Sequence, residues 1–325
     1  MKGVRRDSAD GSRAALLARI VKLLRRGESI ALSGLPATGK TYLAEKALAR
    51  IEKDKRFVIC RFPVTESMVE AGKKANFSEV FFDAALKALG AATGRALGSR
   101  RKVPSFRKFI DALAELREHD GRRIVLLLDD WDRICDPMYE ISDLCCKLSY
   151  VLERKDCPIA IFFVSVLTPR LVEGAQEYCG SRISSLLRNK SFVLGPLNEK
   201  DYWRFFREQA KGKRISTGAA LLIERYSMRH PAIASLIIGA YEGQSDGSDV
   251  DRFVKAVELP IVRANRLFYL ETLRQWIGLA HYASEGLWSG CEKWGVEDLF
   301  REYGFELSSQ NLQATFLGSL IGEAR

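Results

Sequence analysis

The sequence has 325 residues, of which 47% are hydrophobic, so it can form a sizeable core and about two or three domains. It contains no apolar run as long as a membrane-spanning helix, which argues against a membrane protein. Its seven scattered cysteines lack metal-binding spacing, which argues against a zinc module and predicts a cytoplasmic protein with reduced thiols. The formal net charge of +10 favours a polyanionic partner.

Two segments, residues 1–26 and 94–108, are strongly basic. Because lysine and arginine bind phosphates whatever the base sequence, both segments are candidates for binding duplex DNA. A solvated protein face has the same composition, so both interpretations stay open. Residues 1–11 are predicted to be a disordered basic terminus, after which Ser12 can cap a helix that ends before Gly27.

A glycine-rich loop follows, between a short apolar run that predicts a strand and a helical pattern at residues 41–52. It fits G-x-x-x-x-G-K-[ST] without a mismatch, which predicts a phosphate-binding loop. Gly34 and Gly39 allow a tight turn whose backbone N–H groups approach the phosphates. Lys40 is predicted to reach the β- and γ-phosphates, and the Thr41 hydroxyl to bind Mg²⁺. The predicted nucleotide contacts here are Gly34, Leu35, Pro36, Ala37, Thr38, Gly39, Lys40, Thr41 and Tyr42.

Further apolar runs predict strands, and helical patterns separate them. These strands cover residues 56–62, 124–128, 159–164 and 192–194. The alternation predicts an α/β protein, with a parallel sheet that carries helices on both faces, over residues 12–196. Within this core, residues 63–104 look like an insertion, and Ser105 is predicted to cap the helix that follows.

After residue 196 the strands stop, and helical patterns predict an all-helical lid over residues 197–258. Asn198 is expected to cap its first helix and Pro231 to start its third. Residues 259–325 are predicted to form a small C-terminal domain, mainly helical or like a winged helix. Its tryptophans and slightly acidic charge favour a packed core or a protein interface over DNA.

The apolar strand 124–128 ends in two aspartates, Asp129 and Asp130. A carboxylate at the end of a buried strand beside a phosphate loop can hold Mg²⁺, so Asp129 is predicted as a metal ligand, the Walker B role. Asp130 is predicted to orient or deprotonate an attacking water. A solvated acidic loop at the strand end is the alternative.

These features together resemble the AAA+ and STAND branch of P-loop ATPases, in particular archaeal-type ATPases and the AAA+ module of archaeal replication initiators. The resemblance implies a three-layer fold with a helical lid, and ATP and Mg²⁺ as ligands. It also implies an order of strands in the sheet. The strand at residues 159–164 should lie between the strand that precedes the glycine-rich loop and the strand that ends in Asp129. Ser165, at the end of this middle strand and near Thr168, would then sense the γ-phosphate; a simple strand-end hydroxyl is the alternative.

The resemblance also implies an arginine that reaches the nucleotide of a neighbouring subunit. Arg188, before the last strand, fits that position, with Arg170 and Arg182 as rivals and an ordinary exposed helix-end arginine as the alternative. Arg13 lies where these families begin to recognise adenine. Together these assignments imply self-association through the ATPase domain.

In the lid, His230 and Pro231 match a turn that approaches the nucleotide in STAND proteins. Met228 and Arg229 stand where that turn often has glycines, and Arg229 is an alternative as the sensor 2 arginine of AAA+ lids. A capping turn without any nucleotide contact is a further interpretation.

The sequence therefore predicts an ATPase in which bound nucleotide switches the lid and self-association. No guanine-reading N-K-x-D element is evident, which favours ATP over GTP. A DNA-binding ATPase, like an initiator or a transposition regulator, is the second interpretation. The third is a signalling or defence scaffold in which ATP is a structural ligand. A protein partner for the C-terminal region is also compatible with the sequence.

Overall fold

The structure is a computed structural model that describes residues 12–241, except for residues 36, 66, 69–70, 72–75, 96, 98–103, 132–141, 155–156, 167 and 170–181. Several predicted features therefore lie outside the described residues. They are Pro36, Arg170, the basic residues 98–103, the terminus 1–11, the end of the lid at 242–258 and the C-terminal domain 259–325.

The centre of the fold is a sheet of five strands. They are β1 (Ile30–Gly34), β2 (Phe57–Pro63), β3 (Arg123–Asp129), β4 (Ile159–Ser165) and β5 (Ser191–Leu194). Their order across the sheet is β2-β3-β4-β1-β5, and each neighbouring pair is parallel. β4 lies between β1 and β3, as the resemblance implied.

Helices connect and follow these strands. In the described part of the chain they are α1 (Arg13–Arg25), α2 (Lys40–Ile51), α3 (Phe77–Thr93), α4 (Ser105–Asp120), α5 (Ser142–Glu153), α6 (Ile183–Leu186), α7 (Glu199–Gln209), α8 (Thr217–Ser227) and α9 (Pro231–Ala240). The side chains of Ser12 and Asn198 cap α1 and α7 as predicted. None of the described helices is long and apolar enough to cross a membrane.

One predicted cap is wrong. Ser105 is the first helical residue of α4, and the residue that precedes the helix is Pro104, which is extended and offers no capping side chain. The carboxylate of Glu79 instead accepts the Ser105 N–H, at 2.6 Å. A side chain from α3 therefore replaces the local cap that the sequence pattern indicated.

Alternate residues of the strands face opposite helical layers. On one face, Leu126 and Leu128 pack in a cluster with α3, α4 and α5. On the other face, Val125 and Leu127 pack with α1 and α2. α3 lies in the segment predicted as an insertion, yet it buries Phe81 in the first cluster. The sheet is thus the middle of three layers, which confirms the predicted α/β fold class.

α7, α8 and α9 pack around a further apolar cluster of their own. Tyr202, Ile223 and Ile237 are buried in it, together with Leu35 from the loop after β1. Val166, directly after β4, also packs against this cluster. The three helices therefore rest on the carboxyl end of the sheet, above the glycine-rich loop.

Candidate functional site

The loop between β1 and α2 needs glycine at two positions for different reasons. A Cβ atom on Gly34 would lie 2.6 Å from the carbonyl oxygen of Leu194, so glycine lets β1 pass close to β5. The neighbouring strand β5 therefore requires glycine at position 34, whereas the sequence motif explains this glycine by the approach of an anion. Gly39 has a φ of 92°, in the left-handed region that side chains disfavour, and Ala37 adopts a φ of 56° nearby. The loop is therefore wound tightly before α2 begins.

Lys40 is the first residue of α2, and its side chain folds back over the loop. Its Nζ donates to the carbonyl oxygens of Gly34 at 2.8 Å and Leu35 at 2.9 Å. The Thr38 hydroxyl donates to the same Leu35 carbonyl at 2.8 Å. The buried ammonium group thus lies against the loop backbone, next to the amino end of a helix. Both features attract an anion.

Thr41 and Asp129 meet although 88 residues separate them. The Thr41 hydroxyl lies 3.4 Å from Oδ1 of Asp129, the last residue of β3. Burial, and then the neighbouring charge of Asp130, raise the pKa of Asp129 above its ordinary value, while the hydrogen bond from Thr41 opposes this shift. Two oxygen groups at this spacing fit Mg²⁺, which prefers oxygen ligands. A cation at this position would also relieve the repulsion between the two aspartates.

Asp130 adopts a left-handed backbone conformation, with a φ of 54°. Its N–H donates to Oδ1 of Asp129 at 3.1 Å, so one carboxylate oxygen serves both the adjacent backbone and Thr41. Aspartate tolerates this conformation better than most side chains, though at some energetic cost. The turn changes the direction of the chain immediately after β3.

The hydroxyl of Ser165 is buried at the end of β4 and lies 3.4 Å from the hydroxyl of Ser33. Ser33 precedes Gly34, and the two serines pair in the register of β1 and β4. Ser165 therefore lies beside the start of the loop, as the interpretation as sensor 1 requires. Thr168 is also buried, beyond the end of the strand.

In the lid, His230 is buried and precedes α9. Its Nδ1 accepts the N–H of Ile233 at 3.5 Å, and Pro231 occupies the first turn of the helix. Met228 and Arg229 have φ values of 51° and 59°, so the turn keeps a conformation typical of glycine without having any glycine. The Nδ1 of His230 and the left-handed backbone of Met228 and Arg229 form a helix-capping turn, and the predicted nucleotide contacts of His230, Pro231 and Arg229 stay predictions.

Tyr42 and Arg188 lie on the surface. Tyr42 is 65% exposed, and the Lys46 ammonium lies 4.3 Å from the centre of its ring. Arg188 is exposed in the turn between α6 and β5, whereas its rival Arg182 lies near Glu153 at 3.8 Å. Because β5 is parallel to β1, the turn before β5 lies at the opposite end of the sheet from the glycine-rich loop. Arg188 therefore cannot reach the loop of its own chain.

Arg13 is the residue whose surroundings differ most from the sequence-based interpretation. Its guanidinium donates to the carbonyl oxygens of Thr38 at 2.8 Å and Gly195 at 2.9 Å. The backbone N–H of Arg13 donates to Oδ2 of Asp201 at 2.8 Å. Sequence reasoning missed Gly195 and Asp201. No local pattern could have revealed them, because Asp201 is 188 residues from Arg13.

No protein-family model and no curated protein matches the sequence. Solved structures of archaeal proteins do match the fold. Cdc6p from Pyrobaculum aerophilum is 16% identical with a TM-score of 0.51, and the alignment covers 100% of this chain and 87% of that one. The ORC2 protein of Aeropyrum pernix, solved in ADPNP–ADP complexes, is 14% identical with a TM-score of 0.50, over 98% and 89% of the two chains. A Walker-type ATPase of Pyrococcus abyssi is 12% identical with a TM-score of 0.51, over 99% and 93%.

The chain has a P-loop ATPase fold of the AAA+ class. This confirms the resemblance to archaeal replication initiators at the level of the fold. The same fold explains why the Walker A loop, the end of β3 and the end of β4 come together, since the carboxyl ends of parallel strands share one edge of the sheet. At identities of 12% to 16% this likeness is one of fold.

Proposed function

We propose that this AAA+ chain binds ATP with Mg²⁺ at residues 34–41 and hydrolyses it to ADP and phosphate. One observation carries the proposal: the Thr41 hydroxyl lies 3.4 Å from the Asp129 carboxylate, while Lys40 is held inside the same loop. A Gly-rich turn without catalytic function would not need a buried lysine beside a carboxylate with a raised pKa.

Five of the predicted residues have a place in this reaction. Thr41 and Asp129 would hold Mg²⁺, which when bound neutralises charge on the phosphates. Lys40 would exchange its contacts with the loop carbonyls for contacts with phosphate oxygens. Asp130 would orient the attacking water and accept its proton, and the Ser165 hydroxyl would report the presence of the γ-phosphate.

The proposal includes a nucleotide-dependent lid over residues 197–258. Leu35 belongs both to the phosphate-binding loop and to the apolar cluster of the lid, so a shift of the loop moves a side chain on which α7, α8 and α9 pack. Nucleotide binding would therefore change the free energy of the lid's position, which is what a switch requires.

The direct test combines a binding and a turnover measurement. Lys40→Ala should weaken MgATP binding about a hundredfold or more, because charge-assisted hydrogen bonds to two phosphates are lost. Lys53→Ala removes a lysine just beyond α2 and should leave the affinity unchanged. If the unsubstituted chain has no measurable affinity for MgATP, the proposal is wrong.

Self-association through the ATPase domain is part of the same proposal. Arg188 is exposed, and its end of the sheet is opposite its own loop, so it can act only on another subunit. Arg188→Ala and Asp130→Asn chains should each be inactive alone, yet a mixture should regain turnover at interfaces that combine an intact arginine with an intact aspartate. No recovery at any ratio would remove Arg188 from this role.

A second candidate function, binding of duplex DNA, is favoured by one surface. A groove of about 610 Å³ lies between α1 and the end of α2, and it is lined by Lys22, Arg25, Arg26, Arg50, Lys53, Ala18 and Val21. None of these seven residues is acidic. The groove lies on the face of the sheet that carries α1 and α2, whereas the basic segment 94–108 joins helices of the other face. The groove, rather than a surface that combines both segments, is therefore the DNA site we propose.

Retention on duplex DNA at increasing salt tests this candidate. We expect the triple variant Lys22→Gln, Arg26→Gln, Lys53→Gln to lose retention and to reduce the salt dependence by about one unit of slope for each phosphate contact removed. A triple variant of the other face, Lys87→Gln, Arg107→Gln, Lys108→Gln, has the same net charge and should bind normally. Equal loss in both variants, or no retention even at low salt, would exclude a specific site in the groove.

A further inference from the structure

Arg13 connects three parts of the molecule that are distant in sequence. Its side chain donates to a carbonyl of the phosphate-binding loop, Thr38, and to a carbonyl of the segment between β5 and α7, Gly195. Its backbone N–H, at the start of α1, donates to the buried carboxylate of Asp201 in the first lid helix. Burial lowers the pKa of Arg13 to about 10 and Asp201 partly opposes this, so the guanidinium stays charged at neutral pH.

The contact with Thr38 bears on the neighbouring amide. The Thr38 carbonyl and the Gly39 N–H belong to one planar peptide unit, and the described chain has no cis peptide bond, so the two groups point in opposite directions. Gly39 has a φ of 92° and no side chain, which leaves this peptide free to rotate in the absence of a restraint. By holding the carbonyl on one side, Arg13 holds the Gly39 N–H on the other.

We propose that Arg13 is a positioning residue that orients the Thr38–Gly39 peptide for phosphate and couples this orientation to the lid. The inference rests on the proposed binding of ATP at this loop. In this proposal Arg13 acts through the amide of Gly39 and not as a phosphate ligand, because two nitrogens of its guanidinium donate to the carbonyls of Thr38 and Gly195. Movement of α7 would pull on the backbone of Arg13 through Asp201 and so change how firmly the peptide is held.

The coupling has to run in both directions. If the position of α7 changes the affinity of the loop for nucleotide, bound nucleotide must change the free energy of the α7 position by the same factor. The carboxylate of Asp201 is available for this role, because its other contacts are local: Arg204 pairs with its Oδ1 at 2.7 Å, while the Arg13 N–H donates to Oδ2.

Equilibrium binding of MgATP to substituted chains tests the positioning role. Arg13→Gln should weaken binding about tenfold, since it loses the charge-assisted hydrogen bond that restrains the loop at Thr38 and the one that anchors the guanidinium at Gly195. Arg13→Lys should have an intermediate effect, because an ammonium group lacks the planar fork that spans two carbonyls. The matched control is Arg19→Gln, which removes another arginine of α1, whose guanidinium carbon lies 4.9 Å from the centre of the Phe192 ring. Its affinity should stay within about twofold of the unsubstituted chain.

A second measurement separates positioning from a general loss of stability. Hydrogen exchange of the α7 amides should slow when saturating MgATP is added to the unsubstituted chain, and Arg13→Gln should lose this response even when it is saturated. If Arg13→Gln does not fold, Arg13→Lys carries the same comparison.

The results distinguish the two proposals. No affinity of the unsubstituted chain for MgATP contradicts the proposed function. Tight binding by the unsubstituted chain together with unchanged affinity in Arg13→Gln, or in Arg13→Lys, overturns the inference alone. Equal weakening in Arg19→Gln also overturns it, because the effect would then follow from any destabilisation of α1.

Discussion

The carboxyl end of the sheet and the turn between α8 and α9 both contain residues other than glycine in the left-handed conformation, but for different reasons. At the sheet, Asp130 has a φ of 54° beside an aspartate whose pKa is raised. In the lid, Met228 and Arg229 have φ values of 51° and 59°, and their N–H groups donate to carbonyls of the last turn of α8. The first turn leaves two carboxylates in mutual repulsion, whereas the second satisfies the end of a helix.

This difference predicts opposite consequences of substitution. Strain and repulsion that serve a reaction can be removed with a gain in stability and a loss of function. A turn that satisfies backbone groups has no charge repulsion to relieve. Loss of a capping side chain there should reduce stability, whereas relief of backbone strain there should raise stability slightly without a loss of function.

Asp130→Asn should lower the rate of ATP hydrolysis about a hundredfold or more while MgATP binding is retained, because the proposed proton acceptor is lost. Asparagine is the suitable replacement, since it tolerates the left-handed backbone that alanine would strain. Single-turnover hydrolysis and equilibrium binding measure the two effects. If hydrolysis in the unsubstituted chain is negligible and the variant is indistinguishable from it, the nucleotide is a structural ligand.

His230→Ala should lower the free energy of unfolding by about 2 kcal/mol, through the lost cap of α9 and the space left by a buried ring. Chemical denaturation without nucleotide measures this. His230→Asn separates the two interpretations of the residue, because asparagine restores a capping oxygen but not an imidazole. Recovery of stability together with recovery of MgATP affinity supports the capping role. Recovery of stability alone would show that the imidazole contacts the nucleotide.

The sequence was informative wherever the cause of a structure is local. The apolar run before Asp129 predicts a buried strand, and the motif that ends in Lys40 and Thr41 predicts the loop, because each pattern describes its own surroundings. The parallel order of the strands then brings Thr41 to Asp129 without further information. The left-handed turn at Met228 could not be predicted in the same way, since residue type alone disfavours it and the packing of the lid overrides that preference.

Contacts made across the fold were beyond the reach of the sequence. The position of Arg13 at the start of adenine recognition stays a prediction, and the sequence does not predict that its guanidinium donates to carbonyls of Thr38 and Gly195. The sequence motif explains Gly34 by the close approach of a phosphate, whereas in the structure the carbonyl oxygen of Leu194 leaves no space for a side chain at this position. Gly195 and Leu194 each lie more than a hundred residues from their partner, and Thr38 lies 25 residues from Arg13, so only the assembled fold reveals these contacts.

Asp129→Asn should raise the free energy of unfolding at pH 7 by about 1 kcal/mol, in spite of abolishing the proposed metal ligand. The folded chain holds the proton of Asp129 above its ordinary pKa of 3.8, so the folded state binds more protons than the unfolded state just above that value. Stability is therefore lost as the pH rises through this interval, and asparagine avoids the loss while its oxygen still accepts from Thr41 and from the Asp130 N–H.

Denaturation at pH 7 and at pH 4, without Mg²⁺ or nucleotide, measures the effect of Asp129→Asn. The gain over the unsubstituted chain should shrink at the lower pH, where Asp129 becomes protonated. Thr41→Val is a useful control because it removes the hydroxyl next to Asp129 without changing either charge. A variant that is less stable than the unsubstituted chain at pH 7 would contradict the assignment of strain to this end of the sheet.

Arg229→Gly should raise the free energy of unfolding by about 0.5 kcal/mol, the smallest effect expected here. Glycine relieves the left-handed backbone at a φ of 59°, and its greater freedom in the unfolded chain offsets part of this gain. Removal of the arginine side chain should cost little stability, because this side chain is 42% exposed and lies 4.0 Å from the carboxylate of Glu224. Thermal unfolding without nucleotide measures the gain, and Arg225→Gly, inside α8, should be destabilised instead. If Arg229→Gly gains stability but binds MgATP more weakly, the lid turn has a functional side chain after all, and Arg229 has the sensor 2 role. If Arg229→Gly lowers the free energy of unfolding, the side-chain contacts of Arg229 stabilise the turn by more than its left-handed backbone destabilises it.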